Sequence, residues 1–345
     1  MKRKGKKIGL ALGSGAARGL AHIGVLKALK EGNVSVDMIA GSSVGALVGA
    51  CFAKGKRIKD FEDIVRETDW RKLLKLADPN LALMLKGFVH GNKVKELLKA
   101  IIGDIEFKDL KIPLSVVATD INTGEEVIIK EGSVIEAVRA SISIPAIFMP
   151  VKLKDKFLVD GGIVNPIPVK VVKDMGADFI IACNVIHKPH ERKPDETKKK
   201  QKRLSLFSGL SISAKAYSGA IPSLVLLNNK INKLIRENKN IFDNSQKLIN
   251  AFKIKLHKGQ QRVDPAMPGI FDVMFKALYA MEYEIAKMKA SGADVVIVPK
   301  VGRIAALEFY RGPEAIEKGY EEVKRAMPKI HKIISKSRRE RFINK

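Results

Sequence analysis

Residues 39–50 read IAGSSVGALVGA, an apolar run that holds two adjacent serines among glycines. Its core is the pattern Gly-x-Ser-x-Gly, formed by Gly41, Ser42, Ser43, Val44 and Gly45. Such a pattern sets a serine on a sharp strand-to-helix turn with its hydroxyl exposed, so the register selects Ser43 as a candidate nucleophile. The alternative from the same residues is a helix start in which Ser42 or Ser43 caps the first turn.

A serine hydroxyl attacks a carbonyl only when a base removes its proton and donors stabilise the oxyanion. GSGAARG at 13–19 offers donors: Gly13 and Gly15 free the backbone so that N–H groups around Gly15 and Ala16 face outward at a helix N-terminus. The spacing Gly-x-Gly-x-x-x-Gly, ending at Gly19, departs from a dinucleotide fingerprint. No acidic residue closes the second strand to hold a ribose, and no Gly-Lys-Ser/Thr closes a phosphate loop.

None of the six histidines follows a late strand where a Ser, acid, His order would require one. The better candidate for the base is Asp160, at the end of KFLVD and directly before Gly161 and Gly162. Partial burial there would raise its basicity. The competing reading is a turn aspartate that satisfies local N–H groups.

These residues need elements to hold them. KIGLALG (7–13), VDMIAG (36–41), LSVVATD (114–120), EEVIIK (125–130), KFLVD (156–160), DFIIACNV (178–185) and ADVVIVP (293–299) read as strands. Helical patterns cover 20–32, 44–54, 133–141, 168–176, 271–292 and 313–327. The alternation predicts an α/β fold with a mostly parallel, buried sheet.

The chain of 345 residues is 46% hydrophobic and carries a formal charge of +26, which favours anionic partners without choosing among them. Between 187 and 262 it carries 18 Lys and Arg against 5 Asp and Glu, so 186–265 reads as a basic, partly helical insertion or lid. Residues 223–256 fit either an interfacial amphipathic helix or a solvated helical hairpin, and no nucleic-acid motif accompanies the lysines. The expected catalytic domain is therefore discontinuous, 6–185 with 266–328, and a basic tail runs over 329–345. Cys51 and Cys183 lie in apolar runs, as buried thiols in a reducing compartment would, and no metal-ligand spacing is present. The basic start breaks too early for a signal peptide, and no run reaches the ~18 apolar residues of a membrane span. The expected location is cytoplasmic, with peripheral contact at an anionic inner-membrane surface left open.

Taken in order, GLALGSGAARGLAHIGVLKAL, IAGSSVGALVGA and VDGGIVNPIPV resemble the patatin-like phospholipase family, as do ATDINTGEEV (118–127) and ASISIPAIF (140–148). The small bacterial and archaeal members with a Gly-Ser-Gly-Ala-Ala-Arg-Gly loop are the most similar. The resemblance implies a three-layer α/β/α fold and an acyl hydrolase with a Ser-Asp dyad, needing neither histidine nor metal nor any other cofactor. Ser43 would be the nucleophile, Asp160 the base, and the backbone of Gly15, Ala16, Ala17 and Arg18 the oxyanion hole. Substrates would be phospholipids, lysophospholipids or other lipid esters. Plant-type members have three glycines where this chain has Ser14, Gly15 and Ala16. The alternative function is a catalytically weak regulatory protein that keeps the fold and binds a partner through the basic insertion.

Overall fold

The computed structural model describes residues 6–67, 92–145, 147–189 and 270–343. The expected insertion lies almost wholly outside the described residues. Four strands, β1 (Ile8–Leu12), β2 (Met38–Ser42), β3 (Leu114–Asp120) and β4 (Glu126–Ile129), come from the first half of the described chain. β5 (Val151–Leu153), β6 (Lys156–Asp160), β7 (Phe179–Cys183) and β8 (Val295–Ile297) complete one sheet, ordered β5-β6-β3-β2-β1-β7-β8 with β4 also on β3. Pairs β3-β2, β2-β1, β1-β7 and β7-β8 are parallel, so the central part of the sheet is parallel.

Central strands are apolar on both faces because both faces are covered. Leu10 and Leu12 of β1 and Ile181 and Cys183 of β7 join one core, whereas Ala11, Ile180 and Ala182 join another on the opposite face. Helices α1 (Ala21–Glu31), α2 (Val44–Ala53), α3 (Ile58–Glu67), α4 (Asn92–Ile102) and α5 (Val134–Ser141) pack on the first face. α6 (Val169–Asp174) and α7 (Ile270–Lys289) pack on the second, and α8 (Gly312–Ile343) returns to the first. The result is the three-layer α/β/α arrangement with a mostly parallel sheet.

The register around β3 positions the site. β2 ends with Ser42 opposite Val117, and β6 runs antiparallel with Asp160 opposite Ala118. β4 pairs with Val116 to Thr119 and so overlaps both partners, which leaves β2 and β6 sharing the other edge of β3. Asp160 therefore stands one step beyond the end of β2, where the chain turns at Ser43.

At the element level the structure adds one feature and changes one expectation. β4, β5 and β6 are antiparallel additions to β3 and to each other, with β5-β6 a hairpin through Lys154 and Asp155. The last helix, expected to stop at Met327, continues through Pro328 to Ile343, so the segment read as a tail is helical to that point. Ile330 is fully buried in the first core, and His331 Nε2 donates to the Gly32 carbonyl at 2.9 Å. Those contacts offset the ~3 kcal/mol that an internal proline costs.

Candidate active site

Ser43 links β2 to α2 with φ 53° and ψ −124°, a backbone region that costs a side-chain-bearing residue ~1–3 kcal/mol. Its surroundings enforce the turn. A Cβ at Gly41 would lie 2.5 Å from the Ala46 backbone, and one at Gly45 would lie 2.2 Å from the Leu12 carbonyl oxygen. The Ser43 N–H donates to Ser141 Oγ at 2.8 Å, and that hydroxyl donates to the Val117 carbonyl at 2.6 Å. Thus α5 clamps the turn onto β3.

Neither serine caps α2. Ser43 Oγ donates instead to Asp160 Oδ2 at 2.6 Å, and Ser42 Oγ is buried without a hydrogen bond. Asp160 divides its carboxylate: Oδ1 accepts the Gly162 N–H at 2.7 Å while Oδ2 takes the serine. Its backbone is tied as well, by Thr119 Oγ1 donating to its carbonyl at 2.8 Å and by its N–H donating to the Ser143 carbonyl at 2.9 Å. Burial pushes the Asp160 carboxyl up to about 6, against the pull of the Ser43 and Gly162 hydrogen bonds. At neutral pH it is ionised and a far stronger base than an exposed aspartate.

The loop after β1 lies against the same helix start, because the Leu12 and Gly13 carbonyl oxygens abut Gly45. Gly13 and Ser14 N–H groups are used on the Cys183 and Pro166 carbonyls. Gly15 (φ 149°) and Ala16 (φ 49°) then turn the chain into a 3-10 helix over Ala16–Leu20. Within it Ala17 N–H donates to the Ala306 carbonyl and Arg18 N–H to the Gly15 carbonyl, so these two expected donors are engaged by the fold. The Gly15 and Ala16 N–H groups have no hydrogen-bond partner among the described residues. Gly19 packs the turn on α2, since a Cβ there would lie 2.0 Å from Val44.

The Arg18 side chain braces the turn, with Nε donating to the Ile304 carbonyl at 2.7 Å and its guanidinium 4.5 Å over the Tyr279 ring. No described histidine hydrogen-bonds Ser43 or Asp160. His22, His187 and His331 each engage a backbone carbonyl, of Gly13, Pro299 and Gly32 respectively. His22 is buried, which pushes its pKa down to about 4 and keeps the ring neutral. No group of three or more metal-ligating side chains is gathered among the described residues, and no described helix is long and apolar enough to cross a membrane. Cys51 and Cys183 are both buried and unpaired.

Three contributors escape sequence reasoning. Ser141 closes a segment read only as a helix, and Ser143 sits in a stretch noted only for its resemblance. Glu282 of α7 gives no signal, because in YAMEYEIAKM it looks like one more polar residue on a helix.

A three-layer α/β/α fold with a serine on a strand-turn-helix elbow, bonded to a buried carboxylate, has the layout of the serine-nucleophile α/β proteins. Residues 10–173, a little under half of the chain, match the family model described as patatin-like phospholipase. An uncharacterized NTE family protein of Mycobacterium tuberculosis is 38% identical over 179 residues, 52% of this chain and 49% of that protein. The neuropathy target esterase sws of Drosophila melanogaster is 38% identical over 189 residues, covering 52% of this chain and 13% of the relative. A patatin-like phospholipase domain-containing protein of Caenorhabditis elegans is 36% identical over 194 residues, 52% and 14% of the two chains. The chain thus spans about half, or much less, of the curated relatives it matches. VipD from Legionella pneumophila aligns over 91% of both chains at 13% identity and a TM-score of 0.39, a likeness too weak to carry an argument.

Proposed function

We propose that the protein is a serine acyl hydrolase that cleaves lipid ester bonds through an acyl-enzyme. The carrying observation is the 2.6 Å hydrogen bond from Ser43 Oγ to Asp160 Oδ2 on a rigidly held elbow. Asp160 takes the Ser43 proton as Oγ bonds to the ester carbonyl carbon. The oxyanion forms at the N–H groups of Gly15 and Ala16, each such donor being worth roughly 3 kcal/mol in the transition state. Collapse breaks the ester C–O bond, and Asp160 returns the proton to the departing alcohol. Water then repeats the sequence: Asp160 takes its proton, hydroxide attacks the acyl-serine, and Ser43 leaves with the proton restored. One carboxyl acts as base and acid in turn, and the raised pKa suits both steps.

Support for lipid esters comes from the match to the patatin-like family model and from relatives named as an esterase and a phospholipase-domain protein. The charge of +26 suits phospholipid head groups and an anionic membrane surface, each nearby Lys or Arg contributing ~1 kcal/mol. The test is hydrolysis of short esters, lysophospholipids and phospholipids, with Ser43→Ala as the blank. Activity falls by on the order of a thousandfold or more in the variant. Hydrolysis that survives in Ser43→Ala sinks the reading.

A further inference from the structure

Glu282 reaches from α7 into the space between the loop after β1 and the end of β6. Ser14 Oγ–H donates to Glu282 Oε1. A methyl group at Gly162 would sit 2.5 Å from Glu282 Oε1, 2.9 Å from Ser14 Oγ and 3.0 Å from Asp160 Oδ1, so three oxygens converge on one point beside the dyad. Ser14 in turn directly precedes Gly15, the first of the two free N–H donors.

Resting on the acyl-hydrolase reading above, we propose that Glu282 is a positioning residue that works as a neutral acid. It anchors Ser14, and through it the Gly15 and Ala16 donors, without setting a second negative charge beside Asp160. A carboxylate in that place would oppose the ionised base and the developing oxyanion alike. The surroundings favour the neutral form. Glu282 is half-buried, and the loss of water around its carboxyl pushes it up to about 8; the Asp160 charge adds to this, against the Ser14 hydrogen bond and the Arg18 guanidinium.

Among the described residues the titratable or charged groups around it are Asp160 at the end of β6, Arg18 in the turn after β1, and Tyr279 one turn earlier on α7. With Asp160 pushed up to about 6 and Glu282 to about 8, the two carboxyls together carry one negative charge between these values and two above them, beside the Arg18 guanidinium. Glu282 thereby sets an upper limit to the working pH. It lies outside the residues that match the family model.

The experiment pairs the pH profile of ester hydrolysis with a carboxyl ¹³C NMR titration of the full chain, for wild type, Glu282→Gln and Glu282→Ala. In wild type kcat falls about tenfold one pH unit above the Glu282 transition. Glu282→Gln loses that descending limb while the ascending limb near 6 stays. Glu282→Ala lowers kcat at neutral pH with little change in KM, and Glu282→Gln recovers most of the loss. A carboxyl resonance titrating near 8 in wild type disappears in both variants. A descending limb that persists in Glu282→Gln, or Glu282→Ala matching wild type at neutral pH, overturns the proposal. If wild type hydrolyses no ester, the acyl-hydrolase reading is what fails. The NMR titration then judges Glu282 alone: ionisation in the ordinary carboxylate range rejects the neutral acid, and ionisation near 8 supports it.

Discussion

Asp160 serves a turn with one oxygen and a serine with the other, and that division joins two readings that the sequence sets against each other. The Gly-x-Ser-x-Gly register points to Ser43 because the turn itself crowds Gly41 against Ala46, while the reason for Gly45, its approach to the Leu12 carbonyl, shows only in the fold. Asp160 is legible through its glycines, since only a side-chain-free neighbour lets a carboxylate approach the elbow so closely. Glu282 is not legible, because its role depends on how α7 docks and not on its own segment. Burial of Asp160 has a stability consequence with a definite sign. Its folded pKa of about 6 lies above the ordinary 3.8, so the native state holds the proton more tightly than the unfolded chain. That contribution is complete below 3.8 and is lost as pH rises through 6. Asparagine carries no titrating proton, so Asp160→Asn gains stability relative to wild type, by at most about 3 kcal/mol, between mildly acid and neutral pH. Urea denaturation at mildly acid and at neutral pH measures it; a gap that does not change with pH contradicts a raised pKa at the buried Asp160.

At the scale of elements, the helices and parallel strands follow from periodicity, while strand direction does not. KFLVD reads as a strand in either sense, and the tight β5-β6 connection that makes it antiparallel lacks the usual signal. Lys154 takes a positive φ of 53° where glycine or asparagine would mark the turn. The length of α8 is hidden for a different reason: Pro328 is a local stop signal, and the buried Ile330 that overrides it lies beyond. The α1-α8 contact is built on glycine. A Cβ at Gly24 would lie 1.8 Å from the Ile316 carbonyl oxygen, and one at Gly319 would lie 2.0 Å from that of Ala21. Replacing a helical glycine by alanine ordinarily stabilises by up to ~1 kcal/mol. Here the sign reverses, and Gly319→Ala destabilises by ~1–3 kcal/mol because backbone must move. Thermal or urea unfolding reads the difference, and a variant as stable as wild type would show that the helices are not packed this closely.

Across the whole molecule, the site is assembled from segments as far apart as Ser14 and Glu282. β1 leads into the Gly15–Ala16 loop, β2 into Ser43, β6 ends at Asp160 and α7 carries Glu282, each at one end of a strand or on a helix packed over the sheet. Roughly half the net positive charge falls in the sequence between 187 and 262, a segment that supplies none of the residues named at the candidate site. Activation of Ser43 by Asp160 is tested most directly by the rate at which a fluorophosphonate modifies Ser43 as pH is varied, read from the mass of the Ser43 peptide. In wild type the rate rises through about pH 6 to a plateau below the Glu282 transition, and Asp160→Asn lowers that plateau by about a hundredfold or more. Modification of Asp160→Asn at the wild-type rate, or of a residue other than Ser43, would contradict it.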